Sequence, residues 1–287
     1  MKEISRLLIA YDGSECSDAM LKDLRRAGLP AVLEAVVATI AFVFIPPAEE
    51  PADNDIISGP AAEMVRPSQL RARKAIESAL TVAEQAAVRI KEDFNGWSVR
   101  AESEGGVPAW ELVQMARQLN VDLIAIGSHG HSTAGGRLIL GSVSQRLLYD
   151  APCPVRVARC IERRGDGPIR IVVGFNGSAD SEAALNAVTS RSWPPGTEAR
   201  AICVGHASGI GVAEKSLRDA GLIADEVRRD GDPATVLIEE AENWAANSIF
   251  VGTRNVHGFQ HLWHGSVSAA VAARAHCSVE VVRAAVT

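Results

Sequence analysis

Short apolar runs alternate with stretches of helical spacing along the chain, and the whole alternation occurs twice. Leu7–Asp12 is a compact apolar run ending in Asp-Gly, after which Ala19, Met20, Leu24 and Ala27 keep helical spacing from Ser17 to Ala27. A Val-, Ala-, Ile- and Phe-rich run then extends to Ile45. From Ser68, small or apolar residues recur at positions 72, 76, 79, 80, 83, 87 and 90, which predicts a long helix with one buried face. Asn95-Gly96 breaks that pattern, and Trp97–Ala101 reads as a strand. Pro108 suits the first position of a helix running to about Leu119. Val121–Ile126 is almost entirely apolar, as a strand covered on both faces requires. A last helix follows Gly141-Ser142, and Val155–Ala158 is the last strand of this half. Between the second strand and the long helix, Pro46–Pro67 is acidic and proline-rich, which predicts a surface loop.

The second half repeats this order. Ile9-Ala10-Tyr11-Asp12-Gly13-Ser14 matches Val173-Gly174-Phe175-Asn176-Gly177-Ser178, and Ser17, Ala19 and Leu21 fall on Ser181, Ala183 and Leu185. Pro108-Ala109 matches Pro233-Ala234, and Gly141-Ser142-Val143-Ser144 matches Gly265-Ser266-Val267-Ser268. Cys153-x-Val155 matches Cys277-x-Val279. Matches in constant order predict two homologous domains, 1–160 and 168–287, joined by a charged, glycine-containing segment. Strand–helix alternation implies parallel sheets with right-handed crossovers. The expected fold is therefore α/β, two doubly wound Rossmann-like domains of five parallel strands each. The second domain has the shorter second crossover.

Composition narrows the partners. The 287 residues carry a formal charge of −6, so no general attraction for nucleic acid or an anionic membrane is expected. Any phosphate has to be held locally, by backbone N–H groups and helix ends. The longest apolar run, Ala31–Ile45, is interrupted by Glu34 and is too short to span a bilayer, and the N-terminus lacks the features of a secretion signal. The expected location is the cytoplasm. There the five cysteines, with no Cys-x-x-Cys among them, read as buried thiols.

The chemistry concentrates in Gly127-Ser128-His129-Gly130, ten further residues, and Gly141-Ser142-Val143-Ser144. This stretch lies between a buried strand and a helix, where parallel sheets bind ligands. Glycines let backbone approach phosphate, and a helix N-terminus attracts it. Ser142 and Ser144 suit either a helix cap or a phosphate contact. With the Asp-Gly-Ser turn after the first strand and Pro152-Cys153-Pro154-Val155 at the end, the sequence resembles a tandem universal stress protein, over essentially its whole length. The resemblance implies two such domains about a pseudo-two-fold axis, their last strands meeting near Val155 and Val279. It also implies an ATP site, or one for ADP or AMP, with Mg2+, formed by Asp12, Val43, Gly127, Ser128, His129, Gly130, Gly141, Ser142, Val143 and Ser144. Asp12 and Val43 would meet the adenine, and the glycine motif the ribose and phosphates.

Both halves depart from the family pattern. The first has ten residues in the motif loop where the family has nine. The second keeps the nine-residue spacing but has Asn255 for the second glycine and Asn176 for the aspartate. Its weaker counterpart site would comprise Asn176, Val204, Gly252, Asn255, Gly265, Ser266, Val267 and Ser268. Walker, dinucleotide and nucleophile-elbow motifs are absent, and no residue stands out as a general base. His257, His261 and His264 lack the Cys or carboxylate that would complete a zinc set. The leading expectation is an ATP-linked regulator in a stress response, with an unidentified protein partner and a homodimer open. A nucleotide-independent scaffold and a slow ATPase are the alternatives.

Overall fold

The computed structural model describes residues 4–43, 60–130, 140–159, 167–205, 211–253 and 267–283. Its strands form one ten-stranded sheet. In the first half these are β1 (Arg6–Ala10), β2 (Leu33–Phe42), β3 (Trp97–Gly106), β4 (Leu123–Gly127) and β5 (Val155–Ala158). In the second they are β6 (Arg170–Gly174), β7 (Glu198–Val204), β8 (Ile223–Arg229), β9 (Ser248–Thr253) and β10 (Ser278–Arg283). The order is β3-β2-β1-β4-β5-β10-β9-β6-β7-β8. Each half is parallel throughout, and the halves join where β5 runs antiparallel to β10. The strand order reads the same from either end, which is the pseudo-two-fold relation. Arg156 pairs with Glu280 on that axis, flanked by Val157 opposite Val279 and Val155 opposite Val281.

The helices are α1 (Glu15–Asp23), α2 (Pro60–Asp93), α3 (Pro108–Gln118), α4 (Ser142–Asp150), α5 (Ala179–Thr189), α6 (Val212–Asp219), α7 (Pro233–Asn243) and α8 (Val267–Arg274). They cover both faces of the sheet. One apolar layer runs unbroken through both halves and includes Leu8, Ile124, Leu147, Val157, Ile249, Val271 and Val279. The opposite face carries a separate cluster in each half, under α1 and α2 around Leu7, Met20 and Ile90, and under α5 and α6 around Ile171, Val188 and Leu217.

The structure corrects some expected limits. The helix expected from Ser68 starts at Pro60, so the end of the 46–67 loop is helical and Pro67 lies inside the helix. Ala61, Ala62, Glu63 and Met64 all favour helix, and Pro60 fits a first turn, where its missing N–H is not required. Pro67 removes one donor without ending the run. Residues 44–59 lie outside the described residues. The first helix stops at Asp23 and tightens into a 3-10 turn over Leu24–Arg26. β3 extends to Gly106 although Glu102–Glu104 is polar, because an edge strand leaves side chains in solvent.

Candidate functional site

The crevice lies at the C-terminal ends of β1 and β4. These strands are neighbours, yet β1 leads to β2 on its other side, so the crossovers diverge there, at the topological switch point where such sheets bind ligands. Asp12 follows β1 and is exposed beside this switch point. Its Oδ1 accepts a hydrogen bond from the Ser14 N–H at 3.0 Å. Ser14 in turn caps α1, accepting from the Ser17 N–H. On the β4 side, a Cβ built on Gly130 would lie 2.3 Å from Asp12 Oδ2. Asp12 and Gly130, far apart in sequence, are thus in direct contact. Val43, half-buried, follows the end of β2, the strand next to β1.

The glycines of the motif serve different purposes. A Cβ on Gly127 would lie 2.8 Å from the carbonyl carbon of Cys16 and 2.9 Å from its oxygen, so Gly127 lets the first turn of α1 pack onto β4. Gly252 repeats the arrangement against the backbone oxygen of Asp180, at 2.0 Å. These two glycines are required by the fold. Gly141 closes the loop: its N–H donates to the Ser128 carbonyl at 2.8 Å. Residues 131–139 lie outside the described residues, but the anchor points of the loop are joined, so the extra residue does not part them. Ser144 is buried and donates to the Gly127 carbonyl at 2.8 Å, tying α4 to β4. Ser142 is exposed and Val143 half-buried in the same turn. The N-cap residue of α4 is Gly141, with no side-chain cap, as is also the case for α3 at Val107 and α6 at Gly211, whereas α1, α5 and α7 are capped by Ser14, Ser178 and Asp232. The first turn of α4 therefore leaves its N–H groups for another acceptor.

Cys16 was not singled out by the sequence motif. It lies beside His129, with Sγ 3.4 Å from His129 Nε2, while Ser128 Oγ lies 3.1 Å from His129 Nδ1. His129 is thereby held over the end of β4. Cys16 departs from the expected thiols in being disulfide-bonded. Cys153, Cys203 and Cys277 are buried free thiols. Burial pushes Cys153 up to about 12 and Cys203 up to about 11, which keeps both protonated and unreactive.

In the second half, Asn176 Oδ1 accepts from the Ser178 N–H at 3.0 Å, repeating the turn that Asp12 makes. The amide thus satisfies the local geometry without the charge. Val204 ends β7, Gly252 lies in β9, and Val267 and Ser268 open α8, with Ser268 buried like Ser144. Asn255, Gly265 and Ser266 lie outside the described residues, as do His257, His261 and His264. Among the described residues no group of three His, Cys, Asp or Glu could hold a metal ion, and no helix is long and apolar enough to cross a membrane.

The profile described as the universal stress protein family matches residues 3–159 and 196–283. A universal stress protein of Mycolicibacterium smegmatis is 28% identical over 303 residues, covering 96% of this chain and 96% of the relative. One from Mycobacterium tuberculosis is 30% identical over 250 residues, covering 78% of this chain and 80% of the relative. Among solved structures, a universal stress protein from Archaeoglobus fulgidus covers 98% of this chain and 97% of its own, with a TM-score of 0.64 and 22% identity, a likeness of fold.

Proposed function

From the premise that this chain belongs to the universal stress protein family, we propose that its first half binds ATP and that the bound nucleotide regulates the protein in a stress response. In this reading residues 1–160 are the nucleotide-binding domain, and residues 168–287 are a companion domain with a weaker site. The observation that carries it is the uncapped first turn of α4, joined through Gly141 and Ser128 to the crevice where Asp12 meets Gly130. Free N–H groups at a helix end, with the helix dipole behind them, suit a phosphate. The backbone of Gly127–Gly130 and Gly141–Ser144 would hold ribose and phosphates, while Asp12 and Val43 would meet the adenine. A magnesium ion would arrive with the phosphates, and it neutralises their charge when bound.

The protein's own groups bind and orient. Phosphoryl transfer also needs a positioned nucleophile and stabilised charge on the terminal phosphate. Asp12 accepts from the Ser14 N–H in the turn before α1, and in this reading its carboxylate would meet the adenosine end, away from the terminal phosphate. The activity proposed is therefore binding, with output through a protein partner in the cytoplasm. Calorimetric titration with ATP and magnesium tests it. Saturable binding that Gly130→Val abolishes, with the circular dichroism spectrum unchanged, is the expected result. Equal affinity in that variant removes the site assignment, and absence of binding in the parent protein favours a nucleotide-independent scaffold.

A further inference from the structure

The seam between the halves contains two kinds of contact. One kind is symmetric. Arg283, at the end of β10, donates to the Leu148 and Tyr149 carbonyls at the end of α4. Arg159, its counterpart after β5, donates to the Ala272 carbonyl of α8. Each half thus caps the last helix of the other with an arginine, and two identical halves could do the same. The second kind is asymmetric. Arg156 and Glu280 occupy equivalent positions, and both are fully buried. They face each other in the β5–β10 register, with Arg156 Nη1 3.5 Å from Glu280 Oε2.

Each axis residue also has a counter-charge from its own half. Asp23, at the end of α1, accepts from Arg156 Nε at 2.6 Å. Arg191, just after α5, donates to Glu280 Oε2 at 2.9 Å, and Glu280 Oε1 accepts its other donor. The Arg191 guanidinium also reaches across the seam to the Ala27 carbonyl at 2.8 Å. Ala27 is the first-half residue equivalent to Arg191, so this arm too exists in one half only.

We infer that the β5 edge and the β10 edge are matched to each other and mismatched to themselves. A strand on a two-fold axis presents the same residue to itself when a half pairs with a copy of that half. Arg156 would then meet Arg156, or Glu280 would meet Glu280, in a fully buried site. Like charges opposite one another across a strand pair are destabilising, and burial removes the screening that would soften them. Heterotypic pairing brings opposite charges together at the same point. The kind of edge that β5 accepts is therefore one carrying a carboxylate on the axis, which the second half supplies. Polar groups of this sort select a pairing register and partner more than they add stability.

The test is a cycle in the full chain, read as the urea midpoint. Glu280→Arg places two arginines on the axis. In the parent protein, Arg156→Gln should lower the midpoint by about 1 M, because Asp23 and Glu280 each lose a buried partner. In the Glu280→Arg background the same substitution should raise the midpoint, since it removes one of two like charges. This reversal of sign is the expected result. If Glu280→Arg alone gives no soluble protein, recovery of soluble, folded chain in the Arg156→Gln/Glu280→Arg variant is the same reversal, and its absence counts against the inference. A lowering in both backgrounds overturns it, because the two positions would not be reading each other's charge.

Discussion

At the scale of single residues, glycines that look alike in the motif separate by what a side chain would strike. Gly130 faces a carboxylate oxygen, the movable end of Asp12, so a methyl group there disturbs the crevice and spares the frame. Gly127 faces the backbone of Cys16, which cannot step aside without shifting α1. Gly127→Ala should therefore lower thermal stability, by about 1–3 kcal/mol as overpacking does, in the absence of nucleotide. Gly130→Ala should weaken ATP binding at nearly unchanged stability. Differential scanning calorimetry beside ATP titration separates the two. The sequence shows that both positions are glycine and that they belong to one motif. It does not show which is pressed by backbone and which by the Asp12 carboxylate, because Asp12 and Cys16 belong to the turn and helix after β1, far away in sequence. Asp12 and Asn176 teach the same lesson. Their difference is visible in the sequence as a lost charge, while their shared acceptor role in the turn becomes visible only in the fold.

At the scale of elements, two helix starts are fixed by serine caps. Ser14 and Ser178 each accept from a backbone N–H in the first turn of α1 and α5, so Ser14→Ala and Ser178→Ala should each reduce stability by about 1 kcal/mol in denaturant unfolding. α4 has no such cap to lose. Beside its apolar face, α2 is tied to α1 by an ion pair that is absent from any motif: Arg89 donates to Asp18 Oδ1 at 2.6 Å, and the Tyr11 hydroxyl donates to the same oxygen at 2.6 Å. Burial, then the Asp18 carboxylate, raises the Tyr11 phenol from 10.0 to about 12. A raised acid constant means the folded state holds the proton more tightly, so this stabilisation is complete below pH 10.0 and is lost as pH rises towards about 12. Ultraviolet titration should show the Tyr11 phenolate forming about two units late, and Tyr11→Phe should remove that phase. Most elements were readable from apolar spacing, since β4 and β5 are covered on both faces and α3 keeps one apolar stripe. The start of α2 was not, because Pro67 reads as a helix stop when its neighbours' contacts are unknown.

At the scale of the whole molecule, the duplication announces two similar units, and the antiparallel meeting of β5 and β10 turns them into one sheet with a shared apolar layer. The repeat made the two units legible in advance, and the family resemblance implied the meeting of their last strands. The charge pattern at the seam was not, because Arg156, Glu280, Asp23 and Arg191 are scattered along the chain and only the fold assembles them. Joining also removes two strand edges, leaving β3 and β8 at the ends. Native-state hydrogen exchange should accordingly find Val155, Val157, Val279 and Val281 among the slowest amides, and faster exchange along β3 and β8; rapid exchange at β5 and β10 would mean that the halves open independently. The central claim, a nucleotide site in the first half, is tested most directly by native mass spectrometry of the freshly purified chain, followed by addition of ATP and magnesium. One adenine nucleotide per chain is expected, lost in Gly130→Val. A chain that stays bare after saturation with ATP would contradict it.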